Sequence, residues 1–243
     1  MKEQLLECCK QLRLSATFAE NAVSATGATN QEYMLEVLKA EIIYRNTKRR
    51  NLYLKKAGFD NVKTFNGYDF EDITLPSGIT IDLLKQAEFL SRQENLILYG
   101  RNGAGKSHMA TAIGVEACMQ GKHVRFYKTA TLVNELVVAK ANGLLVQLLK
   151  KLSKLDLLIC DEWGYIPFDA EGSQLLFQVI ADCYEKRSLI ITTNIEFSKW
   201  NGIFYDDQLT AALIDRLVHH SHLIVFGRDS WRLKHSLMKQ SNN

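Results

Sequence analysis

Two short runs of side chains in this sequence have the residue types and spacing to do chemistry. The first is Gly100-Arg101-Asn102-Gly103-Ala104-Gly105-Lys106-Ser107, a complete G-x-x-x-x-G-K-[ST] pattern. Its three glycines let the backbone curl so that successive N–H groups converge on phosphate oxygens at the positive end of a following helix. Lys106 would then reach the β- and γ-phosphates of a nucleoside triphosphate, and Ser107 would ligate Mg²⁺. The second run is Leu157-Leu158-Ile159-Cys160-Asp161-Glu162, an apolar stretch ending in two carboxylates. Asp161 at a strand end can hold the same Mg²⁺ through water, beside Ser107. Glu162 is positioned to orient and polarise a water attacking the γ-phosphate. An activated water is what a phosphotransferase must exclude, so the added glutamate points to hydrolysis.

The surrounding pattern supplies the elements that such groups need. Asn95-Leu96-Ile97-Leu98-Tyr99 reads as a buried strand feeding the glycine loop, and Met109, Ala110, Ala112, Ile113 and Ala117 as the helix leaving it. Further strands are expected at His123–Tyr127, Leu157–Glu162, Leu189–Asn194 and His222–Phe226. Helices alternate with them, one N-capped by Thr129. This makes an α/β protein with a five-stranded parallel sheet. One strand separates the phosphate loop from Asp161 and one follows before Asn194, an order that fits the P-loop class in which the Asp161 strand is not the neighbour of the loop strand. Asn194 would then stand between the two, within reach of the lytic water or the γ-phosphate, or else merely cap a turn. Arg216, on the last helix, could be inserted into a neighbouring subunit's nucleotide, or could pair with Asp215 or a nearby acid. His219-His220-Ser221-His222 lacks an accompanying carboxylate or cysteine cluster and is not expected to bind metal.

Residues 1–60 read as helical, with a turn at 24–30 and a long helix from Gln31 to about Ala57, stopped by Gly58. The second half of that helix carries Arg45, Lys48, Arg49, Arg50, Lys55 and Lys56, with no acid between Glu41 and Asp60. At about 100° per residue, all but Arg50 fall within roughly a 120° arc. Such a stripe suits a nucleic-acid backbone without reading bases, although a charge run is also the ordinary wet face of a helix. The net charge of +3 is too small to argue nucleic-acid binding by itself. With 47% hydrophobic and 23% charged residues, the chain can bury a sizeable core. Its five scattered cysteines read as reduced thiols, no apolar run approaches membrane-spanning length, and Glu3 and Glu7 stand where a signal peptide would be apolar. A cytoplasmic protein is expected.

Taken together, the chain resembles the IstB/DnaC-like AAA+ ATPases, and within them the IstB helpers of transposition. The matching stretches are Tyr68-Asp69-Phe70, Glu94-Asn95, Gly105-Lys106-Ser107-His108, Leu158 to Tyr165, Leu175 to Ile180, Thr192-Thr193-Asn194 with Trp200, Asp215 to His220, and Gly227 to Arg232. The resemblance implies an AAA+ P-loop NTPase domain over 63–243, preceded by a small all-α domain over 1–62 that binds DNA or oligomerises, with no C-terminal lid domain. It implies nucleotide contacts along the loop from Gly100 through His108, with Lys106, Asp161 and catalytic Glu162, a sensor at Asn194, and a trans-acting finger at Arg216. Arg232, which follows Trp231, matches a nucleotide-contacting arginine of helicase-loader relatives less well. ATP and Mg²⁺ are the implied cofactors. Duplex DNA without sequence preference, an IstA-like transposase and further copies in a helical oligomer are the implied partners. The resemblance supports the basic stripe and adds Lys140, Lys150 and Lys154 as secondary DNA candidates, since 129–155 lies where these ATPases carry an extra helical DNA-binding element. A DnaC-type replicative helicase loader, acting on single strands, is the alternative.

Overall fold

The three central strands of the sheet, Asn95–Gly100, Leu157–Asp161 and Ser188–Thr193, bury both of their faces, which is why they read as apolar runs. The computed structural model describes residues 2–231, and the chain divides between Leu52 and Tyr53 into two compact units. The sequence suggested a division ten residues later, but Ala57 is fully buried in the core of the second unit, with Tyr53, Leu54 and Phe59 packed against that core.

The first unit contains α1 (Lys2–Gln11), α2 (Ala16–Ser24) and most of α3 (Asn30–Ala57). Ser15 caps α2 by accepting the Phe18 N–H at 3.1 Å. Its own N–H (3.0 Å) and hydroxyl both donate to Glu41, whose carboxylate also takes Arg45 Nε at 2.7 Å. Burial alone would push the Glu41 carboxyl up, yet the hydrogen bonds from Ser15 and Arg45 bring it below its ordinary value.

The second unit begins with β1 (Ile73–Thr74) and α4 (Ile81–Lys85), then β2 (Asn95–Gly100), α5 (Lys106–Met119), β3 (Val124–Lys128), α6 (Thr129–Ala141) and α7 (Leu145–Leu152). β4 (Leu157–Asp161), α8 (Ala170–Cys183), β5 (Ser188–Thr193), α9 (Asp207–His219) and β6 (Ser221–Phe226) follow. The sheet order is β1-β6-β2-β5-β4-β3. The five expected parallel strands are present, but the sheet has a sixth: β1 pairs antiparallel with β6 through Ile73↔Phe226 and Thr74↔Val225. Two residues are too few to show a period, so this strand leaves no trace in the sequence.

Alternation along the strands divides the core. Leu157 and Ile159 of β4 join Ile113 and Ala117 of α5 on one face, while Leu158 and Cys160 join Leu132 of α6 and Leu176 of α8 on the other. Fully burying such a side chain contributes about 1.5–3 kcal/mol, so the β4 position is fixed from both sides. β5 lies between β2 and β4, the order of the P-loop class that the strand sequence fitted. The C-terminal ends of these three strands therefore open into one crevice, where ligands of open α/β sheets bind.

Candidate nucleotide site

At the head of β2 the chain turns through the glycine loop into α5. Gly103 (φ +81°) and Gly105 (φ +97°) occupy the left-handed region, and a Cβ on Gly103 would fall 2.1 Å from Ser230 Oγ. No other residue type fits this turn without strain. Lys106, only 7% exposed, donates from Nζ to the carbonyls of Gly100 and Arg101, both at 2.8 Å. Its charge is thus held inside the curl of the loop, where phosphates would arrive.

The two acids of the second motif meet this loop through hydroxyls. Ser107 Oγ donates to Asp161 Oδ1 at 2.7 Å, and Thr192 Oγ1 donates to the same oxygen. Thr192 also accepts the Glu162 N–H at 3.1 Å, while its carbonyl accepts the Trp163 N–H at 2.9 Å. Glu162 has φ +58°, a conformation that non-glycine residues hold only when their surroundings fix it. Two bonds from one threonine do so here. Thr129 does not cap α6 as expected: Lys128 is the cap residue, and the Thr129 hydroxyl donates to the Asp161 carbonyl at 2.8 Å. Ser107 and Asp161 together present hard oxygen donors on one side of the loop, a set that fits Mg²⁺.

The resulting cleft, of about 400 Å³, is lined by Gly103, Gly105, Lys106, Ser107, Glu162 and Asn194, among others. Asn194 is exposed at the end of β5, and Asn102 and His108 also border the cleft. His108 Nε2 lies 2.9 Å from the Thr64 carbonyl. Arg101 turns outward to Asp229 at 2.8 Å, with both side chains largely exposed. Ala104 is fully buried.

Four contributors were not expected from the sequence. Tyr68 donates to the Gly105 carbonyl at 3.2 Å, and Arg228 donates from Nε to the Ala104 carbonyl at 2.7 Å while pairing with Asp69 at 3.2 Å. Burial pushes the Tyr68 hydroxyl up to about 12 against the pull of Arg228, so it remains a donor at ordinary pH. The Trp231 N–H donates to the Gly103 carbonyl at 3.1 Å, so the segment after β6 is tied across the phosphate loop. Only the Tyr68-Asp69 and Gly227 to Arg232 resemblances hinted at these residues. Thr192 is the fourth, and its position two residues before Asn194 was the available signal, because alternate residues of a strand share a face.

Other expected positions are not among the described residues that line this cleft. Arg216 is half-buried on α9 with its guanidinium 4.9 Å from the Phe177 ring centroid. It forms no ion pair among the described residues, and its Nη1 is buried without an acceptor. Arg232 lies outside the described residues. On α3, Arg45 is committed to Glu41 and the Arg13 carbonyl, Lys48 lies 6.0 Å from the Tyr44 ring centroid, Arg49 approaches Asn46 at 3.5 Å, and Arg50, Lys55 and Lys56 are exposed. Lys140 pairs with Glu171 at 2.8 Å, whereas Lys150 and Lys154 are exposed. One expectation about the histidines needs correction, because a carboxylate does accompany them. Glu185 takes His220 Nε2 at 3.0 Å, and the donor atoms of Glu185, His219 and His220 lie within 4.8 Å of one another. His222 instead meets Glu94 at 3.1 Å.

A phosphate loop after β2, a carboxylate pair ending β4 and a polar strand end between them define an AAA+ P-loop ATP-binding protein. A family model described as IstB-like ATP binding protein matches residues 8–239, and the chain belongs to that family. A protein named for ATP binding from insertion sequence IS232 of Bacillus thuringiensis subsp. berliner is 35% identical, over 87% of this chain and 84% of its own length. Its counterpart from IS5376 of Geobacillus stearothermophilus is 33% identical over 99% and 98%. That from IS21 of Pseudomonas aeruginosa is 36% identical over 84% and 77%. Among solved structures, AMPPCP-bound DnaA from Aquifex aeolicus superposes with a TM-score of 0.55 at 19% identity, covering 74% of this chain and 56% of that one. DnaI superposes with a TM-score of 0.54 at 15% identity, covering 69% and 89%. These two are likenesses of fold alone. Among the described residues no helix is long and apolar enough to cross a membrane.

Proposed function

We propose that this protein is an ATP-hydrolysing, DNA-binding helper of transposition. Copies of it assemble on duplex DNA in the ATP state, alter that DNA and recruit a cognate IstA-like transposase. The observation that carries the hydrolytic part is the chain Ser107–Asp161–Thr192–Glu162, which fixes both acids at the mouth of the phosphate loop. Mg²⁺, held by Ser107 and through water by Asp161, would supply charge neutralisation on the phosphates. Lys106 and the loop N–H groups bind and orient the triphosphate. Glu162 positions the attacking water and polarises its O–H, and Asn194 is within the same cleft to hold that water or the γ-phosphate.

Arg216 supports completion of the site by a neighbouring copy. A half-buried guanidinium stacked on Phe177, with no ion-pair partner among the described residues, carries a charge that an anion from a neighbouring copy would balance. The insertion-sequence origin of the relatives, at 33–36% identity, supports the transposition role over helicase loading. ATPase activity per protomer should rise with protein concentration and with added duplex DNA, more than with single strands. Arg216→Ala should remove that rise while leaving nucleotide binding intact. A rate independent of concentration and of DNA would refute the assembly, and a preference for single strands would favour the helicase-loader alternative.

A further inference from the structure

The ATPase unit has a second hollow, of about 580 Å³, which shares no lining residue with the nucleotide cleft. It lies at the β3 end of the sheet, where α3 terminates and α7 runs into β4. Elements distant in sequence each bring cations to it: Lys55 and Lys56 from the last turn of α3, Arg125 from β3, Lys151 from α7 and Lys154 from the loop that follows. Among the described residues, none of these five has an ion-pair partner. Glu135 is the single carboxylate on the lining.

Arg125 distinguishes this hollow from an ordinary wet surface. Its Nη1 donates to the Lys56 carbonyl at 2.8 Å and its Nη2 to the Tyr127 hydroxyl at 3.0 Å, and the guanidinium carbon lies 4.8 Å from the Tyr127 ring centroid. All three partners are neutral. The side chain is therefore aimed and half-buried without a salt bridge among the described residues, the Glu135 carboxylate acting on the same Tyr127 hydroxyl, and three of the guanidinium's five N–H donors are still available. Lysines on the polar side of an amphipathic helix would account for Lys151 alone. They do not account for a strand arginine clamped by a helix-end carbonyl, nor for four lysines facing it across a concavity. Gathering like charges is unfavourable unless anions enter between them.

We infer that this hollow seats the phosphate backbone of DNA, an inference that rests on the DNA-binding role proposed above. Arg125 would act as the fixed phosphate donor at its floor, and Lys55, Lys56, Lys151 and Lys154 as mobile cations along its rims. None of these groups reads a base, so the contact fixes position and not sequence.

The test is fluorescence anisotropy of a labelled duplex with the full chain over a series of salt concentrations. Wild type is compared with Lys151→Glu/Lys154→Glu and with Arg125→Gln, and binding of a fluorescent ATP analogue to each protein reports an intact fold. The double variant should flatten the dependence of log K on log salt by about 2, near 1 for each lysine lost from a phosphate. Arg125→Gln should flatten it by about 1 on the same basis. Variants that bind the ATP analogue normally and keep both the affinity and the salt slope of wild type would overturn the site and leave the DNA-binding role standing. A wild-type protein that binds no duplex at any salt would instead overturn the role on which the site rests.

Discussion

Replacing Thr192 by Val keeps the shape of a fully enclosed strand residue and removes only its hydroxyl. That hydroxyl joins the two acids: it donates to Asp161 Oδ1 and accepts the Glu162 N–H at 3.1 Å. Asp161 would keep Ser107 at 2.7 Å, so the carboxylate would not be stranded. The Glu162 N–H would lose its acceptor, and a polar group left unsatisfied costs about 1–3 kcal/mol. Glu162 sits at φ +58°, where backbone relaxation gains energy once the restraint is gone. If about 1.4–2.8 kcal/mol of this loss falls on the placement of the glutamate in the transition state, kcat drops about 10- to 100-fold. ATP affinity should change much less, because Lys106 and the loop N–H groups are untouched. The assay is steady-state phosphate release at saturating DNA, alongside direct binding of a fluorescent ATP analogue. Thr192→Ser restores the hydroxyl and should recover most of the rate. A Val variant that hydrolyses within about twofold of wild type, or a Ser variant as slow as Val, would refute the assignment of Thr192 as the residue that positions Glu162.

Two further outcomes follow from the same geometry. Glu162→Gln keeps the side-chain shape but cannot polarise a water, so phosphate release should fall by at least about 100-fold while ATP and DNA binding persist; normal turnover in single-turnover measurements would exclude Glu162 as the base. In the first unit, the Glu41 carboxyl lies below its ordinary value of 4.5, so its contribution to stability is complete above that value and is lost as pH falls through the lower, folded value. Circular-dichroism melts should show a helical transition that moves down in acid for wild type and much less for Glu41→Gln, and equal acid sensitivity in the two would count against the buried carboxylate as its cause.

The parts of this molecule that were legible in the sequence are those whose physics is local. A phosphate loop must carry its glycines, lysine and serine in one unbroken run, because consecutive N–H groups do the binding. A parallel strand buried on both faces must be apolar throughout, so β2, β4 and β5 stand out. Their order, with β5 between the other two, agrees with the P-loop class that the succession of Ser107, Asp161 and Asn194 fitted. What remained hidden depends on pairings between distant residues. β1 is two residues long and exists only because β6 lies beside it. Arg228 reaches Ala104 across 124 positions. Lys140 looked like a free cation, and its partner Glu171, 31 positions away, became evident only in three dimensions.

The same distinction explains why the catalytic pair could be named while its support could not. Asp161 and Glu162 announce themselves as acids at the end of an apolar run, but a side chain's type does not fix its direction. Glu162 points into the cleft because Thr192, on a neighbouring strand in register with β2 through Leu98↔Thr192, holds its backbone in a left-handed turn. Thr129 holds the same strand end from the other side through the Asp161 carbonyl. Two threonines that read as a strand residue and a helix cap are thus the groups that aim the acids. The phosphate loop depends likewise on Tyr68 and Arg228 for two of its carbonyls. Nucleotide binding and hydrolysis should therefore be separable by mutation: changes at Tyr68 or Arg228 act on the loop, whereas changes at Thr192 act on the water.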